Sequence, residues 1–188
     1  MMKTRFTAAL LATALLTCGS VAVAAEESLT QWWFSPWRHK EVQPVANKTW
    51  NEECGGCHLA YQPGLLPAKS WEKLLDETAL ADHFGDDATL DAETLKEVRD
   101  YALANAADKS YYKRSRKIAL ATATGDAPLR ITDVRYIKRK HHEIPEKMIK
   151  GNKDVKSLSH CNKCHTKATE GNYDNDTVSI PNYPDWKD

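Results

Sequence analysis

The chain has 188 residues, 41% of them hydrophobic and 28% charged, with 26 basic and 26 acidic side chains. That length suits one domain or two small ones around a modest core. The balance leaves no basic excess for nucleic acid, and no segment beyond the first 25 residues is long and apolar enough to span a bilayer.

Lys3 and Arg5 precede an apolar run from Phe6 to Leu16, and small residues continue to Ala25. This is the order of a secretory signal peptide, so residues 1–25 are expected to be cleaved after Ala24 or Ala25. The run is too short to cross a membrane comfortably. Losing Lys3 and Arg5 leaves 24 basic against 26 acidic residues, a mildly acidic mature chain. Cys18 follows Thr17, a poor lipoprotein cleavage box, and is read as an ordinary leader cysteine. Residues 26–47 form an aromatic strap around Gln31-Trp32-Trp33-Phe34-Ser35-Pro36-Trp37. Proline and the absence of helical spacing make it an extended segment, either covering a buried group or lying on the surface.

Lys48 to Cys57 reads as a short helix, and Tyr61 to Pro67 as a proline-punctuated loop. Ser70 is placed as the cap of a helix from Trp71 to about His83, with Trp71, Leu74, Leu75 and Leu80 on one face and Gly85 stopping it. Asp91 is placed as the cap of a second helix to about Asn105, where Leu95, Val98 and Ala102 recur at helical spacing, broadened by Tyr101 and Leu103. Lys109 to Pro128 is read as a connector holding the basic run Lys113-Arg114-Ser115-Arg116-Lys117. That run suits a solvated face, or pairing with the propionates of a bound group or with an acidic partner. Arg130 to Tyr136 is read as one short strand or extended piece. Lys138 to Lys150 carries a histidine pair and Pro145, and the tail from Thr169 is read as irregular.

Four cysteines remain after the leader, in two pairs of identical spelling: Cys54-Gly55-Gly56-Cys57-His58 and Cys161-Asn162-Lys163-Cys164-His165. Disulfides, zinc or a redox dithiol can use such pairs. The histidine directly after each pair favours covalent haem attachment, in which two thiols bond the vinyl groups and the adjacent imidazole reaches the iron. Two haem c groups are therefore expected, on Cys54 and Cys57 and on Cys161 and Cys164, with His58 and His165 as proximal ligands. Gly55 and Gly56 keep the chain thin beside the porphyrin. The surroundings of the two motifs are not repeated, so the second need not sit in a copy of the first domain.

Methionine is scarce for the distal side. Met1 and Met2 leave with the leader, so only Met148 remains, and at least one haem needs a different ligand. His83, at the expected helix end, is the best candidate for the first haem. His141 or His142 is the best candidate for the second, and adjacent residues point different ways, so one of them ligates. His160 is read as a surface residue and His39 as structural.

These segments carry a resemblance. Glu53 to Pro67 followed by Ser70-Trp71, then Asp82 to Ala88, Arg130-Ile131-Thr132, Arg139 to Pro145, and the second cysteine motif with Ala168, Gly171 and Ile180-Pro181 resemble the bacterial dihaem cytochrome c family. The likeness covers nearly all of the chain after residue 48. It implies a mainly α fold, with a class I cytochrome c-like N-terminal haem domain (48–108) and a smaller, irregular C-terminal haem domain (109–188). By position it implies His83 and His141 as distal ligands, so that both irons are bis-histidine. It further implies a periplasmic electron carrier of low potential, taking electrons from a membrane b-type cytochrome and passing them to a soluble haem protein. The rival reading is a dihaem peroxidase or small-ligand reductase with one five-coordinate iron, and the chain is short for the usual dihaem peroxidase.

Overall fold

The structure is a computed structural model and describes residues 41–125 and 127–186. The leader with Cys18, the aromatic strap up to residue 40 and His39 lie outside the described residues.

α1 (Lys48–Gly55) begins where Asn47 accepts a hydrogen bond from the Trp50 amide at 2.6 Å. It ends two residues short of the expected Cys57. Trp50 points inward, is 1% exposed, and meets Trp71 edge-on at 5.4 Å and Tyr101 at 5.6 Å. Both indoles also donate to the loop after α1. Trp50 Nε1 reaches the Tyr61 carbonyl at 3.0 Å, and Trp71 Nε1 reaches the Pro63 carbonyl at 2.8 Å. Burying the two rings removes roughly 400 Å² from water, on the order of 10 kcal/mol before chain entropy is counted. The same contacts fix the loop, which makes one 3-10 turn at Pro63–Leu65.

The single helix expected from Trp71 to His83 is two. α2 runs Ala68–Leu74 and α3 runs Glu77–Leu80. Asp76 breaks them apart, because its carboxylate accepts from the Thr78 amide and caps α3. Ser70 is not a cap. It lies inside α2, fully buried, and its hydroxyl has no partner. α2 starts behind Pro67, and the side chain of Asp108 accepts the Ala68 amide at 2.8 Å from forty positions away. α4 (Ala92–Ala104) follows the sequence closely. Asp91 accepts from the Glu93 and Thr94 amides, both at 3.0 Å, and Leu95, Val98 and Ala102 are buried.

The expected connector contains a helix, α5 (Lys113–Ala121). Its inner stripe is Ser115, Ile118 and, just past its end, Thr122, all buried. Two of these three are hydroxyl residues, which hid the helical period behind the basic run. Arg130–Tyr136 is not extended either. It forms a 3-10 turn at Ile131–Asp133 and then the start of α6 (Arg135–His141). α7 (Glu146–Ile149) and α8 (Cys161–Cys164) are single turns. The tail makes 3-10 turns and isolated bridges, among them His165 with Val178. No strand longer than such a bridge occurs among the described residues, so the fold is mainly α.

A buried polar hub ties the segments together. The side chains of Arg114 and Glu41, 15% and 17% exposed, form an ion pair at 2.9 Å. Arg114 also donates to the Tyr136 hydroxyl and the Tyr173 carbonyl, both at 3.2 Å. Glu41 accepts the Tyr173 amide at 2.8 Å. The Tyr173 hydroxyl donates to Gln62 Oε1, and Gln62 Nε2 to the Ala168 carbonyl, both at 2.6 Å. Beside it the Val42 amide donates to the Gly171 carbonyl at 3.1 Å. Gly171 has φ +72°, and a Cβ there would run into the Val42 carbonyl.

Replacing Arg114 by Met should destabilise the holoprotein by about 3–5 kcal/mol, since it strands the Glu41 carboxylate in a mostly buried site. Guanidinium unfolding followed by circular dichroism measures this. Adding Glu41→Gln should restore much of the loss, and equal losses in single and double variants would assign the effect to packing instead.

Candidate functional site

The first cysteine motif straddles the end of α1. Cys54 is on the helix, and Cys57 and His58 are on the exposed turn after it. His58 Nδ1 is bonded to the Leu59 carbonyl at 2.7 Å, which leaves Nε2 for another partner. The Tyr61 ring lies 5.0 Å from it.

His83 is not at a helix end, since α3 stops at Leu80. It opens a tight turn closed by its amide donating to the Asp86 carbonyl at 2.7 Å. Phe84 and Gly85 at the turn's centre have φ +60° and +108°. Such a turn normally demands glycine or asparagine at both places, so Phe84 carries strain. Arg130 stacks over the Phe84 ring at 3.9 Å and holds this turn from outside. The result brings the rings of His83 and His58 to 6.4 Å, centre to centre, with planes 29° apart. Burial chiefly, then the neighbouring His58 and Arg130, lowers the pKa of His83, with Asp86 opposing.

The second motif forms α8, with His165 directly after it. The tail clamps it, the Ser179 amide donating to the Cys164 carbonyl at 2.8 Å. His141 ends α6, and its Nδ1 is bonded to the Ile137 carbonyl at 2.8 Å. Its ring lies 6.0 Å from that of His165, with planes 72° apart. His165 is deeply placed, and its Nδ1 is buried without a hydrogen-bond partner. Burial, then His141 and Arg114, push its pKa down to about 4, so it is a neutral imidazole at neutral pH. Tyr173 packs against it at 5.2 Å.

His142 is exposed, bonded to the Arg139 carbonyl and 3.5 Å from Glu143, and lies outside this arrangement. His160 is exposed and bonded to the Val155 carbonyl. Met148 lines the cavity beside His141 and His165.

That cavity holds about 660 Å³ and is walled by apolar side chains such as Ile137, Ile144, Val155, Leu158 and Ile180, with Cys161 and Cys164 at its edge. A second cavity of about 550 Å³ lies between the two motifs, with Cys57 and His58 facing Asn162 and Lys163. The Tyr61 hydroxyl crosses this region to the Ser159 carbonyl. Neither Tyr61 nor Tyr173 stood out in the sequence. Tyr61 opens a proline-punctuated loop and Tyr173 lies in a polar tail, and neither position shows a helical or alternating period.

The donor set fits haem. A metal–imidazole bond of about 2 Å on each side, plus about 1.1 Å from nitrogen to ring centre, puts two axial imidazoles about 6 Å apart. Both pairs match that spacing. The four described cysteines form no disulfide with one another, and burial disfavours the thiolate form of Cys54 and Cys161. Zinc would instead select thiolates and four converging ligands. Among the described residues no group of three or more His, Cys, Asp or Glu side chains converges on one point. The imidazoles meet in twos, which suits a metal whose equatorial positions are already filled.

Comparison with known proteins agrees. No functionally curated protein matches the chain. A dihaem cytochrome c from Shewanella baltica OS155 is similar, at 35% identity and TM-score 0.61, over 75% of this chain and 98% of its own. A dihaem cytochrome c from Rhodobacter sphaeroides is 37% identical with TM-score 0.61, over 70% of this chain and 100% of its own. Residues 50–173 match the family pattern of dihaem cytochrome c. The chain thus belongs to the dihaem cytochrome c family and carries two covalently attached haem c groups with iron.

Proposed function

We propose that this cytochrome is a low-potential electron carrier of the periplasm, moving one electron per haem, and not an enzyme. The observation that carries the reading is the pairing of imidazoles: His58 with His83, and His165 with His141, each pair one metal apart. In this reading Cys54 and Cys57 hold the first haem, and Cys161 and Cys164 the second. With both axial positions filled by protein, neither iron has room for a substrate, and reversible one-electron transfer is what the haem supplies. The chain's own part is to set that electron's energy. Histidine in place of methionine lowers the potential, and the apolar cavity walled by Ile137, Ile144 and Ile180 and the buried Tyr173 control hydration around His165.

The donor proposed by the family likeness is a membrane b-type cytochrome, and the acceptor a soluble haem protein. No helix among the described residues is long and apolar enough to cross a membrane. Export rests on the leader-like first 25 residues and on haem attachment through paired thiols.

Two measurements test this. His83→Ala should convert the first haem from low to high spin, and His141→Ala should do so for the second, read by absorption and electron paramagnetic resonance. His142→Ala should leave both low-spin signals intact; if it removes one while His141→Ala does not, the second assignment moves by one residue. Carbon monoxide added to the reduced holoprotein should bind neither haem promptly. Prompt binding at one would favour the enzyme reading over the carrier.

A further inference from the structure

The formal neutrality of the chain hides a strong asymmetry. Residues 41–108, which hold the first histidine pair, carry 14 acidic and 5 basic side chains, whereas residues 109–188 carry 10 acidic and 17 basic. The excess peaks between 113 and 140, with 9 basic against 2 acidic. Eight of the nine basic residues lie on α5 and α6, which pack on each other. Burial chiefly, then the neighbouring Arg114, Lys140, Lys113 and Arg139, lowers the pKa of Lys117. Arg135, Lys138, Arg139 and Lys140 are exposed on the helix that ends in His141. Asp133 pairs with Lys138, and Glu41 with Arg114. Arg114, Lys117 and Lys140 line the cavity shared by His141 and His165, where the acidic lining is Asp174 and Asp176. Two haem propionates would neutralise only part of this charge.

We propose that the α5–α6 face beside the second haem is the docking surface for an electron-transfer protein whose own contact face is acidic. The proposal rests on the carrier reading. An anionic membrane would meet the same charge, but a lipid headgroup neither gives nor takes an electron, and the cations surround the element bearing a proposed iron ligand. The acidic first half would repel the same partner, so each haem is addressed by a different protein. Oppositely charged faces raise encounter rates and select orientation, and salt weakens both effects.

The test is stopped-flow oxidation of the fully reduced holoprotein by hexacyanoferrate(III), a compact trianion. One electron leaves a ferrous haem and yields hexacyanoferrate(II). The mature holoprotein is net negative once four propionates are counted, so an oxidant sensing only net charge would react faster as salt rises. A local basic dock gives the opposite slope. The expected rate falls several-fold between about 10 mM and 500 mM salt. Arg135→Glu/Arg139→Glu should lower the low-salt rate about tenfold and abolish or reverse the slope, while Glu53→Lys/Glu72→Lys on the acidic half keeps it falling. A rate that rises with salt in the parent protein overturns the proposal and needs no variant to read. So does a loss, in Arg135→Glu/Arg139→Glu, of sedimentation with phosphatidylglycerol vesicles at unchanged oxidation rate, which would assign the face to lipid. Failure of the carrier reading is separate, because it is seen as carbon monoxide binding whatever the salt slope.

Discussion

The ion pair of Arg114 with Glu41 is the constraint on which both halves of the molecule depend. Two opposite charges at low exposure are costly to desolvate and hold together only when every other donor and acceptor is matched. Here the matching groups come from five distant segments: Glu41 before α1, Gln62 in the loop after the first motif, Arg114 on α5, Tyr136 on α6, and Ala168 and Tyr173 after the second motif. Three of those segments present or adjoin His58, His141 and His165. Satisfying one buried charge therefore fixes where α6 ends relative to α8, and so where His141 stands opposite His165. The same guanidinium helps keep His165 neutral, the form that offers a lone pair to a metal.

The aromatic residues follow from this frame. Tyr61 packs on His58, Tyr173 packs on His165, and Gln62 links them through the backbone on one side and the Tyr173 hydroxyl on the other. Burial pushes Tyr61 up to about 12, with Cys161 contributing, and raises Tyr173 still further. Both phenols are thus neutral hydrogen-bond donors at any physiological pH. They add polar anchoring without placing a negative charge beside either imidazole.

Local chemistry was readable in the sequence and long-range chemistry was not. The cysteine spacing pointed to haem because the motif is contiguous, and α4 was legible because Asp91 caps it and its apolar residues recur at helical spacing. The first turn of α2 was missed because its cap, Asp108, comes from another part of the chain. The break at Asp76 was missed because a carboxylate inside an amphipathic run reads as a surface residue until its bond to Thr78 is seen. α5 was read as a connector because a core stripe of Ser115, Ile118 and Thr122 has too little apolar signal to overrule four cations. Choosing His141 over His142 had to come from the family likeness, since neighbours on one helix end differ only in direction, and direction depends on packing. The structure turns one imidazole toward His165 and leaves the other in solvent.

The two sites also differ in how they are built, and this follows from chain separation. The first draws Cys54, Cys57, His58 and His83 from 30 consecutive residues, held by a tryptophan core and a strained turn that Arg130 steadies. Its loops are short, so little entropy is lost in closing them. The second joins His141 to His165 across 23 intervening residues that contain only single helical turns, and it relies on tail contacts as far as Ser179. Weak local structure there is offset by the hub and by an apolar cavity whose walls gain most when a large apolar group fills them. A haem held in that cavity would be part of the core as well as the redox centre. On this account the C-terminal half can be irregular and still hold His141 and His165 in place.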